Sequence, residues 1–202
     1  MSRTGFATTH EELYRARRDH PELFEVPEAT FLMIDGQGDP NTSGGFALAV
    51  QALYTAAYTI KFSLKKATGR NERIPPLEGL WWNANNDFTV GTKDSWSWTL
   101  MIRLPEDLPE ALLAESLSSA KAKKPDVPIS DLRVERFSEG TAAQVMHIGP
   151  YGEEGPTIAG LHAFIADQGH AMRGKHHEIY LGDPRRSAPS KLRTLLRQPV
   201  AS

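Results

Sequence analysis

Residues 29–69 read ATFLMIDGQGDPNTSGGFALAVQALYTAAYTIKFSLKKATG, and their patterning decides the fold. Ala29 to Ile34 is an apolar, partly β-branched run, and Asp35-Gly36 with Gly38-Asp39-Pro40 supplies turn chemistry directly after it, which predicts a buried strand and a tight loop. Gly36-Gln37-Gly38 is read as part of that turn, since it lacks the further glycine and the Lys-Ser/Thr of a dinucleotide or phosphate cradle. Asn41-Thr42-Ser43 offers helix N-caps. Phe46, Val50, Leu53, Ala57, Ile60 and Leu64 then recur at helical spacing, so a long amphipathic helix is predicted to end near Gly69.

Working outward, strands are predicted over Leu77 to Trp82, after Pro75-Pro76, and over Ser95 to Leu104, where Trp96, Trp98, Leu100 and Ile102 alternate. A linking helix is expected from Glu110 to Ala122, with the boundary between halves inside Lys121 to Ser130. The order then repeats: a strand around Thr141 to Ile148, a Gly149-Pro150-Tyr151-Gly152 turn, a helix with Ile158, Leu161, His162 and Ile165 on one face, and a strand from His176 to Leu181. Leu192 to Arg197 reads as a last short strand or helix. The fold class is therefore α+β, two β-α-β-β halves over about 27–109 and 131–200. Each sheet is expected to carry its helix on one face, with a ligand pocket at the seam of the other faces. Before them, Thr9 and Glu12 have capping-box spacing, so residues 1–26 are read as a helical arm or lid with a helix over His10 to Asp19.

Twenty-three basic against 25 acidic side chains, a formal charge of −2, provide no positive field for nucleic acid. Without cysteine there are no disulfides, thiolate metal sites or cysteine nucleophiles, which fits a reducing compartment. The amino terminus carries charge from its third residue and lacks the apolar core of a secretory signal, and no apolar stretch is long enough to span hydrocarbon. These features predict a cytoplasmic protein, monomer or homodimer, without membrane or nucleic-acid partners.

In the strand His176-His177-Glu178-Ile179-Tyr180-Leu181 the two-residue period puts Ile179 and Leu181 on one face, expected to meet the helix, and His176, Glu178 and Tyr180 on the other. Burial there would raise a carboxyl pKa and suit Glu178 to general-base work; a salt-bridged or solvent-facing Glu beside two exposed histidines is the alternative. Trp81, Trp82, Trp96 and Trp98 either pack a core or wall a site for a flat ligand. On the long helix Tyr54, Tyr58, Lys61 and Lys65 either rim the pocket or form a solvated face, and Tyr151 is aimed inward or is a plain turn residue. Adjacent histidines on a strand point apart and no HExxH spacing occurs, so neither metal nor cofactor is expected. A serine nucleophile has no support, as there is no G-x-S-x-G.

The segments ATFLMIDGQGDPN, LEGLWW and HHEIYLGDPRR, with the ending KLRTLLRQPV, resemble the GyrI-like family in its stand-alone branch, over about Glu25 to Val200. The resemblance implies a pair of SHS2-type β-α-β-β modules in pseudo-twofold arrangement around a central groove, where a glutamate and aromatic residues accept flat, often cationic drugs. It leaves no room here for a helix-turn-helix domain. Some stand-alone members are similar to cyclopropanoid cyclopropyl hydrolases, which open the reactive ring of DNA-alkylating natural products and so detoxify them. By that resemblance Glu178 would be the base, Tyr151, or else Tyr180, would donate to the dienone oxygen, and Trp82 and its neighbours would hold the alkylating unit. The hydrolase reading ranks first, a non-catalytic binder of aromatic cations second, and a DNA gyrase inhibitor last.

Overall fold

The computed structural model describes residues 12–83 and 95–201. The chain divides into two compact units, one of residues 29–79 and 91–137, the other of residues 1–28, 80–90 and 138–202. The change-over at Phe137 lies beyond the expected 121–130. Both are mixed α/β with antiparallel strands.

In the first of these units the decisive stretch folds as β2 (Ala29–Gln37) and α1 (Gly44–Thr68), after a short strand β1 (Glu22–Val26) that belongs to the other unit. Strand β3 (Leu77–Trp82), whose residues from Leu80 count with the other unit, strand β4 (Ser97–Arg103), helix α2 (Glu110–Lys123) and strand β5 (Arg133–Phe137) follow. The strand order is β3-β4-β2-β5. Leu53, Ile60 and Leu64 of α1 are buried, whereas Phe46 and Val50 are not part of the buried set.

The Gly36-Gln37-Gly38 turn is a correction, because β2 runs on to Gln37 and only Gly38 turns, with φ 99°. Gly36 pairs with Trp98 across the ladder. A Cβ on Gly36 would lie 2.0 Å from the Trp98 ring. The six-membered ring of the indole therefore occupies the space over bare backbone and meets Phe46 edge-on, centroids 5.2 Å apart. Glycine is there for close approach, a reason that local turn chemistry does not reveal.

The second unit holds β1, β6 (Gly140–Ile148), a 3-10 turn at Tyr151–Glu153, α3 (Gly155–Asp167), the two-residue β7 (Ala171–Met172), β8 (His176–Tyr180) and β9 (Arg193–Ala201). Its strand order is β1-β6-β9-β8. In both units the first strand of the β-α-β-β set lies beside the last, and the last beside the middle one. β5 adds to the strands of the first unit at β2, and β1 adds to those of the second at β6.

The N-terminal reading is corrected. Thr9 and His10 lie outside the described residues, but Glu12–Tyr14 is a single 3-10 turn, residues 15–17 have no helix, and Glu22–Val26 is a strand paired with β6. Register assigns the faces. Val145 pairs with Leu196, and Leu196 with Glu178; Met146 pairs with Leu195, and Leu195 with Ile179. Ala143, Val145, Leu196 and Val200 pack against Ile158, Leu161 and Ile165 of α3, while Met146, Ile179 and Leu195 are covered by Tyr14 and Ala16. Ile179 therefore meets the N-terminal segment and not the helix, and Glu178 lies on the α3 side, the reverse of the expectation.

That segment is fastened by polar groups. The Gln144 amide donates to the Arg15 carbonyl, the Met146 N–H to the Arg17 carbonyl, and Arg197 to the Leu13 carbonyl at 2.8 Å. Releasing it would leave these buried groups unpaired, so it is a fixed wall of the unit and not a lid. Among the described residues no helix is long and apolar enough to cross a membrane.

Candidate functional site

Strand β8 and the turn before α3 bring together the chemistry of the second unit. Glu178 is only 7% exposed. Its Oε2 accepts a hydrogen bond from the Tyr180 hydroxyl at 2.8 Å, and that same hydroxyl accepts from Trp81 Nε1 at 3.1 Å. Burial first, then the Glu178 charge, raise the Tyr180 pKa well above its ordinary value. The phenol therefore keeps its proton, and that proton is committed to Glu178. His176 Nε2 lies 3.6 Å from Glu178 Oε1. Both histidines of this strand are buried, which excludes the solvent-facing alternative.

Glu154 is the residue that sequence reasoning missed. It ends the 3-10 turn and precedes α3, where its backbone carbonyl accepts from Ile158 N–H. Its side chain makes no capping bond and is buried, and Oε1 has no hydrogen-bond partner. Burial, and next the Glu178 carboxylate, push its pKa up to about 9, which the neighbouring Thr194 hydroxyl offsets only in part. Two buried carboxyl groups of the unit thus act on one another, and Glu154 holds a proton at neutral pH. A glutamate in GEEGPT, one residue before a Gly-Pro helix start, looks like a solvated turn residue. Only the non-local β8 pairing brings it to Glu178.

Tyr151 stands on the same turn, 37% exposed, with its ring edge-on to Tyr180 at 5.6 Å. The structure therefore gathers Glu178, Tyr180, His176, Tyr151 and Trp81. Trp82 points to the opposite face of its strand from Trp81, as alternation requires, and carries the Lys175 ammonium 3.3 Å above its ring. The tryptophan at this cluster is Trp81. Trp96, Trp98, Tyr54 and Tyr58 belong to the other unit. There Trp98 is a core side chain at 2% exposure, Trp96 is half-buried, and Tyr54, Tyr58 and the exposed Phe62 form a row along α1 at 6.4 and 6.3 Å.

On the other face of β8, His177 Nδ1 donates to Glu139, 3.0 Å from both oxygens, and Arg197 donates to Glu139 Oε2 at 3.1 Å. Burial opposes ionisation of Glu139, yet His177 and Arg197 outweigh it and hold the carboxyl at about 2. This closed ion cluster anchors the N-terminal segment through Arg197. Among the described residues no three His, Asp or Glu side chains gather as a metal-binding group.

The GyrI-like small-molecule-binding domain matches residues 20–201. Among solved structures, an uncharacterised conserved protein from Listeria innocua is 41% identical, covering 95% of this chain and 97% of its own, with a TM-score of 0.87. A hydrolase from Listeria innocua is 40% identical, with 95% and 96% covered and a TM-score of 0.80. The C-terminal domain of EcmrR, at 15% identity over 91% and 98% with a TM-score of 0.54, shares the fold. The curated proteins contain no match.

Proposed function

Because the chain belongs to the GyrI-like small-molecule-binding family, we propose that it binds a flat electrophilic ligand beside Glu178 and hydrolyses it, opening the cyclopropane of cyclopropanoid alkylating compounds by addition of water. The observation that carries this reading is the pairing of Glu178 with a buried Glu154 that keeps its proton up to about pH 9. A base and an acid of the same residue type, separated by environment, are what water addition needs. Relatives at about 40% identity that are named hydrolases support the hydrolytic class.

Water held by Glu178 attacks the cyclopropyl CH₂ and gives its proton to that carboxylate. The C–C bond breaks and its electron pair moves through the dienone to the oxygen, which takes the Glu154 proton and becomes a phenol. The accessible Tyr151 hydroxyl donates to that oxygen as charge develops. Tyr180, its proton engaged, orients Glu178 and is not the donor to substrate. Trp81 and Tyr151 supply the aromatic contacts, and Glu178 and Glu154 exchange protons after product leaves. Removing a reactive ring in this way would detoxify the compound. The matching strand order of the two units supports reading them as two related β-α-β-β modules of SHS2 type.

The test incubates the purified chain with a cyclopropanoid compound in ¹⁸O-labelled water and looks for a ring-opened product carrying the label. Glu178→Gln should lower turnover by about 10²–10⁴-fold while binding persists. Saturable binding with no labelled product would replace the hydrolase with a non-catalytic binder, and undiminished turnover in Glu178→Gln would remove Glu178 from the chemistry.

A further inference from the structure

One buried titratable side chain close to the site has no part in the chemistry above. His147, near the end of β6, is 7% exposed and faces α3. Its Nδ1 lies 3.0 Å from Thr157 Oγ1, in the first turn of α3, and its Nε2 lies 3.3 Å from the Pro150 carbonyl oxygen. These two partners bracket the 150–157 segment, which carries both Tyr151 and Glu154. We propose that His147 is a positioning residue, the buckle that fixes the turn bearing the site's proton donor.

The chemistry of the Pro150 carbonyl fixes one end of the ring. A carbonyl can only accept, so Nε2 carries a hydrogen and donates to Pro150, while the Thr157 hydroxyl, which can give or accept, pairs with Nδ1. Pro150 O also receives the Glu153 N–H at 2.9 Å, Tyr151 O receives Glu154 N–H at 3.3 Å, and Glu154 O receives Ile158 N–H at 2.9 Å. The imidazole thus enters a chain of bonds that passes through the Glu154 backbone itself. Gly149 lets the ring in: its φ is 149°, and a Cβ there would stand 3.1 Å from Nε2. A side chain at 149 would displace the ring from Pro150 or shift the turn.

The arrangement matters because Glu154 makes no capping bond and its Oε1 has no partner. With Oε1 unpaired and the Thr194 hydroxyl as its hydrogen-bonding neighbour, that side chain depends on the backbone of the turn for its position. With His147 removed, the turn can swing Glu154 toward water, where an ordinary carboxyl pKa returns. His147 acts on the reaction only through Glu154 and Tyr151. The inference rests on Glu154 being the proton donor of the proposed reaction, but it can be read without substrate.

The experiment is a pH titration of the full chain by NMR, following the Glu154 carboxyl carbon and the His147 ring nitrogens in wild type, His147→Ala, His147→Gln and Thr157→Val. In wild type Nε2 should carry a hydrogen. His147→Ala should lower the Glu154 midpoint by at least about one unit, a tenfold fall in proton affinity. His147→Gln, whose amide can still donate to Pro150, should recover most of it, and Thr157→Val should shift it in the same direction as Ala. A folded His147→Ala chain with an unmoved midpoint overturns the proposal, even if its stability has dropped, since a merely structural role would do that. Should the Ala variant not fold, an unmoved midpoint in Thr157→Val, or a wild-type ring whose Nε2 bears no hydrogen, overturns it equally. A wild-type Glu154 that titrates in the ordinary carboxyl range would instead defeat the acid role of Glu154, leaving the His147 tautomer a separate result.

Discussion

The Tyr180 hydroxyl stands between Trp81 and Glu178, accepting from the indole at 3.1 Å and donating to the carboxylate at 2.8 Å. A single oxygen therefore fixes the orientation of the side chain assigned as base and satisfies a buried indole N–H. Tyr180→Phe removes both functions without adding volume. It should cost about 1–3 kcal/mol, since a buried donor and part of a carboxylate lose their partner together. Trp81→Phe, which leaves the bond to Glu178 intact, should be milder at that bond. Urea denaturation of the two single variants and the double variant would measure the coupling, and strictly additive costs would show that the hydroxyl does not link them.

Glu154 ties stability to pH in an unusual direction. Its folded pKa of about 9 exceeds its ordinary value of 4.5, so between these limits the folded chain holds a proton that the unfolded chain has released. Its contribution is complete below pH 4.5 and declines as pH rises toward 9, with a limiting slope of about 1.4 kcal/mol per pH unit. Glu154→Gln should flatten that decline and make the protein more stable than wild type at pH 8. Parallel melting curves of the two chains from pH 5 to 9 would contradict the assignment. In turnover, the same group should give a loss of activity on the alkaline side near pH 9.

Glu139 behaves in the opposite sense. Held at about 2 against 4.5, it stabilises the fold above the ordinary value and loses that contribution as pH falls toward 2. Arg197→Met would leave Glu139 with His177 alone and unhook the Leu13 carbonyl. Removing one partner of a buried ion cluster costs about 3–5 kcal/mol. Denaturation should show that loss, together with faster amide exchange over residues 13–18; protection unchanged in that segment would mean that Arg197 does not anchor it.

The sequence discloses most elements because their signals are local. The β2 and β3 runs, the helical spacing of Leu53, Ile60 and Leu64, and the alternation of β8 all depend on neighbours a few residues away. What escaped depends on register. Which face of β8 meets α3 follows from the pairing of Glu178 with Leu196, 18 positions away in the chain, and alternation alone is blind to it. β1 was hidden in a charged stretch because an edge strand needs little apolar content. Alternation placed Glu178, Tyr180 and His176 on one face of a strand, whereas it left Trp81 as one of four tryptophans and gave no sign of Glu154. The groups that act on its carboxyl, Glu178 of β8 and Thr194 of β9, lie far along the chain from it.

Gly36 and Trp98 offer a test in the other unit that is independent of any ligand. Gly36→Ala places a methyl 2.0 Å from the indole, an overlap no rotamer of alanine can avoid. Trp98 is 2% exposed and hemmed by Phe46, so it cannot yield without a cavity opening elsewhere. The substitution should cost about 1–3 kcal/mol, as overpacking does, and should perturb near-UV circular dichroism from the tryptophan. The three ring atoms that would be struck all belong to the six-membered ring of the indole. In a Trp98→Phe background those atoms are gone, so adding Gly36→Ala should then cost much less than in wild type. Equal costs in the two backgrounds would mean that Gly36 is required for its backbone and not for the ring that crosses it.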